Sequence, residues 1–259
     1  MAGNNRKGII LQERDMHLER ELAIMRVIDR IQAMCVAGFG SITRANARLL
    51  ALVRAGLLLR FFMGTDAVGK KALYTLSPKG AALVDSRYRG LRRGRDEVLV
   101  ADFFVSHQLK INDIYCILKY RPIPIHDARF VRWVSFSKPV ATGSALVPDG
   151  YTEIAAPGKV LAAFLEVDLG HETRTTWIKK VEEYKRLAKS DTFPQKSGQD
   201  RFRVLAVTNS ERRLESLRAA TATVTGKIFW FTTFDAIARD GFWSAIWKRP
   251  KGDQFQTLW

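Results

Sequence analysis

The sequence has few cysteines, no long apolar run and too few acidic residues to balance its basic ones. Only two of its 259 residues are cysteine, and Cys35 and Cys116 are isolated from each other on apolar helix faces. This pattern argues against a disulfide or a zinc site and suits a reducing cytoplasm. The first apolar run, GIIL, is too short for a signal peptide, and no stretch reaches membrane-spanning length. We therefore expect a cytoplasmic protein without a membrane partner.

Several catalytic motifs are also missing from the sequence. It has no glycine-rich phosphate loop, no G-x-S-x-G motif and no paired cysteine and histidine. His107 and His171 have no second histidine or cysteine at metal-ligand spacing. The sequence therefore does not support a nucleotide-binding enzyme or an acyl-transfer enzyme.

The excess of positive charge is the strongest global signal. The chain has 42 Lys and Arg against 26 Asp and Glu, which gives a net charge of +16. Residues 1–95 contain 18 basic and 7 acidic side chains, whereas the remainder contains 24 and 19. This balance predicts a polyanionic partner that is bound through phosphate neutralisation. Because no basic amphipathic helix with an aromatic face accompanies the charge, nucleic acid is a better candidate than a membrane surface.

The segment Ser41–Leu76 has the pattern of a helix followed by a hairpin with a basic tip. Thr43 is a candidate N-cap, Gly56 is a candidate left-handed C-cap, and the turn-rich GTDAVGKK separates two apolar runs. One helix face carries the apolar residues Ala45, Leu49, Leu52 and Val53. We interpret the segment as the recognition helix and wing of a winged helix-turn-helix. The alternative is another fold in which the arginines of this helix form a solvated face.

Two helices are predicted before this segment and one after it. Asp29 is a candidate cap for the second helix, and Ser77 followed by Pro78 predicts the start of the last one. The residues predicted to face inward are Leu18, Leu22 and Met25 in the first helix and Ile31, Met34 and Cys35 in the second.

These patterns divide the chain into four parts. Residues 1–12 are predicted to be a flexible basic arm, 13–86 a winged-helix DNA-binding domain, 87–96 an arginine-rich linker and 97–259 a second domain. The second domain has the element order α-β-β-β-α-β-α-β, which predicts a mixed sheet flanked by helices. The helices are predicted at Val98–Leu118, Thr173–Lys189 and Ser210–Ala220, and the strands at Arg129–Phe136, Ala145–Ile154, Lys159–Asp168, Phe202–Thr208 and Lys227–Thr232.

The second domain, with acidic residues at its middle strands, resembles the PD-(D/E)xK nuclease-like fold. We therefore expect a two-domain protein of α+β and α/β type, with an N-terminal winged helix-turn-helix and a C-terminal restriction-endonuclease-like domain built on a mixed sheet. Asp149 lies in a Pro-Asp-Gly motif, and Glu166 and Asp168 lie two apart at the end of a strand. The resemblance implies that these three carboxylates would hold Mg²⁺ if the domain is an active nuclease, and that they and Lys180 are the catalytic candidates.

The sequence departs from the nuclease pattern at Asp168, which occupies the position of a lysine in active enzymes of that fold. Lys180 on the next helix, with Tyr184 one turn later, is the candidate substitute. We expect Lys180 to pair with the carboxylates, and Leu165 and Val167 to face the core. The ordinary alternative is that Pro-Asp-Gly is only a turn and that the two acids form a solvated strand edge.

The chain as a whole resembles the replication-relaxation proteins of plasmids and other mobile elements. The resemblance depends on the order of the motifs LQERD, LVRAGLL, LYTLSPKGAALV, HQLKINDIY, PDG, FLEVDLGHET and K-x-x-x-Y. It implies a role at a plasmid or mobile-element origin, in replication or in the relaxation of supercoiled DNA. Replication or mobilisation proteins are then further partners, and a homodimer is left open.

Three functions remain open, and we prefer the first. They are a sequence-directed double-stranded DNA-binding accessory protein or regulator, a metal-dependent DNA endonuclease or nickase directed by its winged helix, and a transcriptional repressor. The residues predicted to contact DNA are Arg44, Asn46, Arg48 and Arg54 on the third helix, Lys70 and Lys71 at the wing tip, and Arg92 and Arg93 in the linker.

Overall fold

The computed structural model describes residues 9–65, 69–88, 98–99 and 103–259. The chain divides into two compact units, Met1–Cys116 and Ile117–Trp259. Each unit combines helices with a sheet, so the chain is a mixed α/β protein. Most of the predicted arm and linker, including Arg92 and Arg93, lies outside the described residues, as does the tip of the hairpin. No helix within the described ranges has the length and apolar character needed to cross a lipid bilayer.

The N-terminal unit has three helices followed by a β-hairpin, in the order that the sequence predicts. Its four-stranded sheet has the order β1-β3-β2-β4, in which β2 and β3 are antiparallel and β4 runs parallel to β2. The elements are α1 (Glu13–Met25), β1 (Ile28–Asp29), α2 (Arg30–Ala37), α3 (Ile42–Arg54), β2 (Leu58–Thr65), β3 (Gly69–Leu76), α4 (Pro78–Leu83), β4 (Val98–Leu99) and α5 (Phe103–Tyr120), whose last residues belong to the second unit.

The α3 helix has the predicted apolar face but a different N-cap. All four of the apolar residues predicted for its inner face, Ala45, Leu49, Leu52 and Val53, are buried. The N-cap is Ser41, whose hydroxyl accepts the Arg44 N–H at 3.3 Å, and Thr43 lies inside the first turn. Ser41 has an extended backbone, which allows its side chain to accept a hydrogen bond from an N–H in the first turn of the helix. Gly56 follows the helix with φ +74°, as the sequence predicts.

The α2 helix faces the core with a different side than predicted. Asp29 caps it as expected and accepts the Gln32 N–H at 2.8 Å. However, Ile31 is 56% exposed, whereas the polar residue Gln32 is buried. The Gln32 amide donates to the Leu109 carbonyl at 2.8 Å and to the Asp113 carboxylate at 2.7 Å, both on α5. A polar side chain occupies this inner position because α5 supplies its hydrogen-bond acceptors.

The α5 helix packs on the N-terminal unit instead of opening the second domain. The buried Asn112 amide donates to two backbone carbonyls near the end of α1, at 3.1 and 2.6 Å. The Tyr115 hydroxyl donates to the Glu21 carboxylate at 2.6 Å. Buried polar groups need such partners, and these fix the position of the helix. The units therefore separate at Cys116, one helix later than the boundary predicted at residue 97.

The two cysteines are neighbours in space, although the sequence suggested that they are isolated. A hydrogen bond with Cys35, together with burial, raises the pKa of the Cys116 thiol. The two cysteines do not form a disulfide. The prediction of isolation was wrong because α2 and α5 are far apart along the chain but are joined by the hydrogen bonds of Gln32.

The C-terminal unit contains a five-stranded mixed sheet with helices, in the predicted order. The strand order is β5-β6-β7-β8-β9, with antiparallel pairing up to β7 and parallel pairing from β7 to β9. Two short helices, α7 and α9, were not predicted. The elements are β5 (Arg129–Val134), β6 (Gly150–Ala156), β7 (Lys159–Asp168), α6 (Arg174–Leu187), α7 (Thr192–Ser197), β8 (Arg203–Thr208), α8 (Glu211–Ala222), β9 (Phe229–Thr233) and α9 (Phe234–Asp240).

The β6 strand begins at Gly150, later than the predicted start at Ala145. Gly150 forms its first ladder pair with Leu165, and the residue two before it is Pro148, which has no N–H for the ladder. Gly150 is needed here for a steric reason, since a Cβ would lie 2.3 Å from the Trp133 ring. The Pro-Asp-Gly motif therefore lets an aromatic ring cover the start of a strand.

The central strand β7 is buried on both of its faces. Leu165 and Val167 are buried as predicted, and Glu166 and Asp168 on the opposite face are only 1% and 5% exposed. Phe164 shares the face of the two acids and packs against Tyr184 of α6, with ring centroids 5.5 Å apart. The alternative of a solvated strand edge is therefore wrong, because both acidic residues are buried.

Glu19 in α1 introduces a pH dependence into the stability of the N-terminal unit. It is fully buried, and among the described residues neither of its carboxylate oxygens has a hydrogen-bond partner. Burial, with a smaller contribution from Asp15, raises the pKa of Glu19 from 4.5 to about 7. Between these values the unfolded chain loses its proton while the folded chain keeps it. Glu19 therefore lowers the free energy of unfolding as the pH rises from 4.5 to 7.

We predict that Glu19→Gln removes this pH dependence. At pH 8 the variant should be more stable than the parent, by about 1–3 kcal/mol, because no buried charge has to form. Below pH 4.5 its advantage should vanish, since the parent side chain is then neutral in both states. Thermal melts at several pH values measure the difference, with the exposed Glu13→Gln of the same helix as control. An offset between Glu19→Gln and the parent that does not change with pH would contradict the prediction.

Candidate functional site

The first candidate site is a set of exposed polar side chains in the N-terminal unit. Arg44, Asn46 and Arg54 of α3 are exposed. Lys70 is also exposed and pairs with Gly64 near the end of the hairpin at which β2 finishes and β3 begins. We call these four residues the exposed polar set. Their side chains form no hydrogen bond or ion pair with another described residue, so they can reach an external anion.

Two other predicted DNA contacts are engaged inside the unit. The Arg48 guanidinium forms an ion pair with the fully buried Asp15, with its Nε 2.9 Å from Oδ1, and it also donates to the Ile10 carbonyl at 2.7 Å. Burial alone would raise the pKa of Asp15, but the hydrogen bond from Arg48 holds it below its ordinary value. The Lys71 Nζ lies 2.5 Å from a carboxylate oxygen of Asp29, the cap of α2. Both cations therefore stabilise the positions of helices.

The second candidate site surrounds the end of β7, where Glu166 has two donors from α6. The Tyr184 hydroxyl donates to Glu166 Oε1 at 2.5 Å, and the Lys180 Nζ donates to Oε2 at 2.8 Å. Lys180 also lies 3.1 Å from Glu172 in the segment that leads into α6. Lys180 and Tyr184 are one helical turn apart, so both point at the same carboxylate. The structure thus brings together Glu166, Lys180 and Tyr184.

Asp168 is held by a residue that the sequence did not suggest. Arg213 of α8 forms a bidentate salt bridge with it, in which Nε donates to Oδ1 at 2.8 Å and Nη2 donates to Oδ2 at 2.6 Å. The Gly170 N–H donates to Oδ1 at 2.6 Å. The parallel ladder explains the contact, because Asp168 at the end of β7 pairs with Thr208 at the end of β8. The helix that follows β8 must therefore begin beside Asp168.

Asp149 binds the backbone of the neighbouring strand. Its Oδ2 accepts the Val167 N–H at 2.7 Å, and its own N–H donates to the Leu165 carbonyl at 3.2 Å. These bonds join the start of β6 to the end of β7. Asp149 is close enough to Glu166 to raise the pKa of that carboxyl. We name Asp149, Glu166, Asp168 and Glu172, with their partners Lys180, Tyr184 and Arg213, the acidic centre.

The electrostatics of the acidic centre make Glu166 its titrating member near neutral pH. Burial raises the pKa of Glu166 to about 7, although Lys180 opposes the rise. Burial would lower the pKa of Lys180, but Glu166 and Glu172 outweigh it and raise the pKa. Burial and then Glu166 raise the pKa of Tyr184 well above 10. At pH 7 both Lys180 and Tyr184 are therefore protonated donors.

The residues of the acidic centre do not fit a divalent metal ion in this arrangement. Both oxygens of Glu166 accept from Tyr184 and Lys180, and both oxygens of Asp168 accept from Arg213. A hard cation needs several free oxygen ligands. Within the described part of the chain, no group of three His, Cys, Asp or Glu side chains is placed to hold a metal. No catalytic step through Mg²⁺ follows from this geometry.

Comparison with known proteins gives one match. Residues 22–200 match the family model described as replication-relaxation. This range includes α3, the β2–β3 hairpin and all of the acidic centre except Arg213. No curated protein and no solved structure matches the chain.

We predict that Lys180→Ala destabilises the C-terminal unit and does so more strongly at higher pH. Removing one partner of a buried ion pair costs about 3 kcal/mol, because the remaining carboxylate is left unpaired. Without Lys180 the pKa of Glu166 should rise further, so the stability deficit relative to the parent should grow as the pH passes 7. Thermal melts at pH 6 and pH 8.5 measure this, with the exposed neighbour Lys179→Ala as control.

The same thermal melts test whether the acidic centre binds a divalent metal ion. Because Lys180 and Arg213 already neutralise the carboxylates, millimolar Mn²⁺ should shift the melting temperature of the parent very little. A ligand that binds only the folded state at a hundred times its Kd would add about 2.7 kcal/mol of stability. A large Mn²⁺ shift in the parent would therefore contradict our assignment of the carboxylates to Lys180 and Arg213.

Proposed function

This chain belongs to the replication-relaxation family, and we propose that it is a sequence-directed double-stranded DNA-binding protein. It acts at a plasmid or mobile-element origin as an accessory protein or regulator of replication or relaxation. The observation that carries the proposal is the N-terminal arrangement of three helices and a hairpin, with Arg44, Asn46 and Arg54 exposed on the third helix. Replication or mobilisation proteins are the proposed further partners.

We interpret the N-terminal unit as a winged helix-turn-helix in which α3 enters the major groove. An α-helix fits that groove, and arginine and asparagine form paired hydrogen bonds with the edges of guanine and adenine. The β2–β3 hairpin is the wing, and Lys70 near its end is placed to neutralise a phosphate. Arg48 belongs to the scaffold in this interpretation, because its contact with Asp15 holds α3 against α1.

The charge distribution supports the same partner. Residues 1–95 carry 18 basic and 7 acidic side chains, an excess that favours a polyanion by releasing its condensed counterions. Arg92 and Arg93, which lie outside the described residues, remain proposed phosphate contacts. Phosphate contacts position a protein on the duplex, whereas base contacts select the sequence. The two groups of residues should therefore differ in their effects on binding.

We propose that the C-terminal unit has a nuclease-like fold whose acidic centre stabilises the unit. The order of its strands and the position of Glu166 at the end of β7 support the fold. The neutralisation of its carboxylates by Lys180 and Arg213 favours a structural role over metal-dependent cleavage. The endonuclease alternative requires metal-dependent cleavage of plasmid DNA.

We predict that two sets of substitutions separate base contacts from phosphate contacts. Arg44→Ala with Asn46→Ala should reduce discrimination between a selected duplex and random duplex by roughly 1–3 kcal/mol per lost base contact. Lys70→Ala should weaken binding to all sequences alike and reduce the salt slope by about one. Fluorescence anisotropy at three salt concentrations measures both, with the exposed Arg239→Ala of the C-terminal unit as control. Unchanged discrimination in the double variant would exclude α3 as the reading helix.

We predict that the protein retards both supercoiled and linear plasmid DNA and cleaves neither. No cleavage is expected because the carboxylates of the acidic centre are already paired. The assay compares incubations with and without Mg²⁺ or Mn²⁺. Gel electrophoresis after protein removal detects nicks and double-strand breaks. Metal-dependent cleavage that disappears in Glu166→Ala would replace the accessory role with the endonuclease.

A further inference from the structure

A cavity of about 500 Å³ lies at the opposite end of the five-stranded sheet from the acidic centre. Lys159 is the first residue of β7 and Arg203 is the first residue of β8, whereas Asp168 is the last residue of β7. Because β7 and β8 are parallel, their first residues lie at the same end of the sheet. The cavity therefore uses residues that have no part in the acidic centre.

The lining of this cavity combines positive charge with aromatic rings. Its described basic residues are Lys159, Arg201, Arg203, Lys227 and Arg249, against the single acid Asp200. The Arg203 and Arg249 guanidinium carbons lie 4.4 and 4.5 Å from the centroid of the Trp230 ring. The Lys159 Nζ lies 4.7 Å from the centroid of the Trp259 ring. Stacking on aromatic rings holds these cations but does not neutralise them.

The two guanidinium groups have no carboxylate partner among the described residues. Arg203 donates to the Leu258 carbonyl, and Arg249 makes one long contact of 3.4 Å with the Gly226 carbonyl. The Arg249 Nε is buried and has no hydrogen-bond partner in the described part of the chain. Burial, and then the charge of Arg249, lower the pKa of Arg203, and burial lowers that of Arg249. The fold thus holds two like charges together at a cost in stability.

An anion in the cavity would remove that cost. The guanidinium group of arginine matches the oxygen geometry of a phosphate and binds it with charge-assisted hydrogen bonds. An aromatic ring beside a phosphate site provides a stacking surface for a nucleic-acid base. A bare phosphate would use the arginines and leave the Trp259 ring without a role in binding.

We propose that this cavity binds a nucleoside phosphate, with its phosphate at Arg203 and Arg249 and its base against the Trp259 ring. The ligand has two sources with the same chemistry, a free nucleotide or a nucleotide of single-stranded DNA. The site is independent of α3 and of the duplex-binding proposal, so either proposal can fail alone. It gives the C-terminal unit a binding activity of its own.

Calorimetric titration of the full chain tests the proposal with three probes: inorganic phosphate, deoxyadenosine monophosphate and a single-stranded deoxyadenosine hexamer. At least one nucleoside phosphate probe should bind more tightly than inorganic phosphate. Arg249→Gln should weaken that binding about tenfold or more, because a charge-assisted contact is lost. Arg239→Gln removes the same charge from an exposed arginine that is paired with Asp240 outside the cavity, and it should change affinity less than about twofold.

Two further measurements separate binding from folding. Without ligand, Arg249→Gln should melt no lower than the parent, since it relieves the repulsion with Arg203. Trp259→Leu should reduce the preference for the nucleoside probes over inorganic phosphate and leave the affinity for phosphate itself unchanged. Binding of the monophosphate identifies a free nucleotide, and binding of the hexamer alone identifies a strand. Equal affinity for all three probes, binding of none, or binding that Arg249→Gln does not change would overturn the proposal.

Discussion

A carboxyl group on a strand that is buried on both faces must either form an ion pair with a cation or keep its proton. The structure of the C-terminal unit depends on that constraint. Charged groups lose most of their hydration in the interior, so an unpaired one costs several kcal/mol. β7 carries two such groups, Glu166 and Asp168. The helix after β7 delivers Lys180 and the helix after β8 delivers Arg213, each to one of them. The crossover connections that make the sheet parallel also bring in the neutralising charges.

The same constraint operates in the N-terminal unit with a different result. Asp15 is buried and has Arg48 as its partner, whereas Glu19, one turn later on the same helix, is buried with no hydrogen-bond partner in the described residues. Asp15 is therefore held ionised, and Glu19 gains a raised pKa. One helix thus contains a carboxylate that stabilises the unit at neutral pH and one that weakens it.

Sequence periodicity predicted most of the fold because it reports which residues a local element must bury. The apolar face of α3, the cap at Asp29 and the extent of β7 all follow from near neighbours in the chain. The exposure of Ile31 and the placement of α5 could not be predicted this way. They depend on Gln32 finding acceptors on a helix about eighty residues later in the chain. Such polar contacts leave no periodic signal.

The residues of the candidate sites also divide into those that the local sequence identifies and those that depend on long-range packing. Lys180 and Tyr184 were identifiable because the helix that follows an acidic strand end must pass over it. Arg213 needed the parallel register of β7 and β8, and the roles of Arg48 and Lys71 needed partners from other helices or strands. A basic residue on an amphipathic helix gives the same sequence pattern whether its side chain faces a buried acid or the solvent. Only the packing distinguishes Arg48 from Arg44.

The polar ends of the C-terminal sheet give that unit a directional electric field. Four carboxylates gather near the end of β7, and five cations line the cavity where β7 and β8 begin. Lys180 and Arg213 offset part of the negative charge at the first end, whereas the cavity has a clear excess of positive charge. These two regions therefore contribute an electric dipole along the sheet, with its positive end at the cavity. Near a polyanion such a dipole experiences a torque that turns its positive end forward before any contact forms. Orientation of this kind acts on the rate of encounter, and added salt would weaken it.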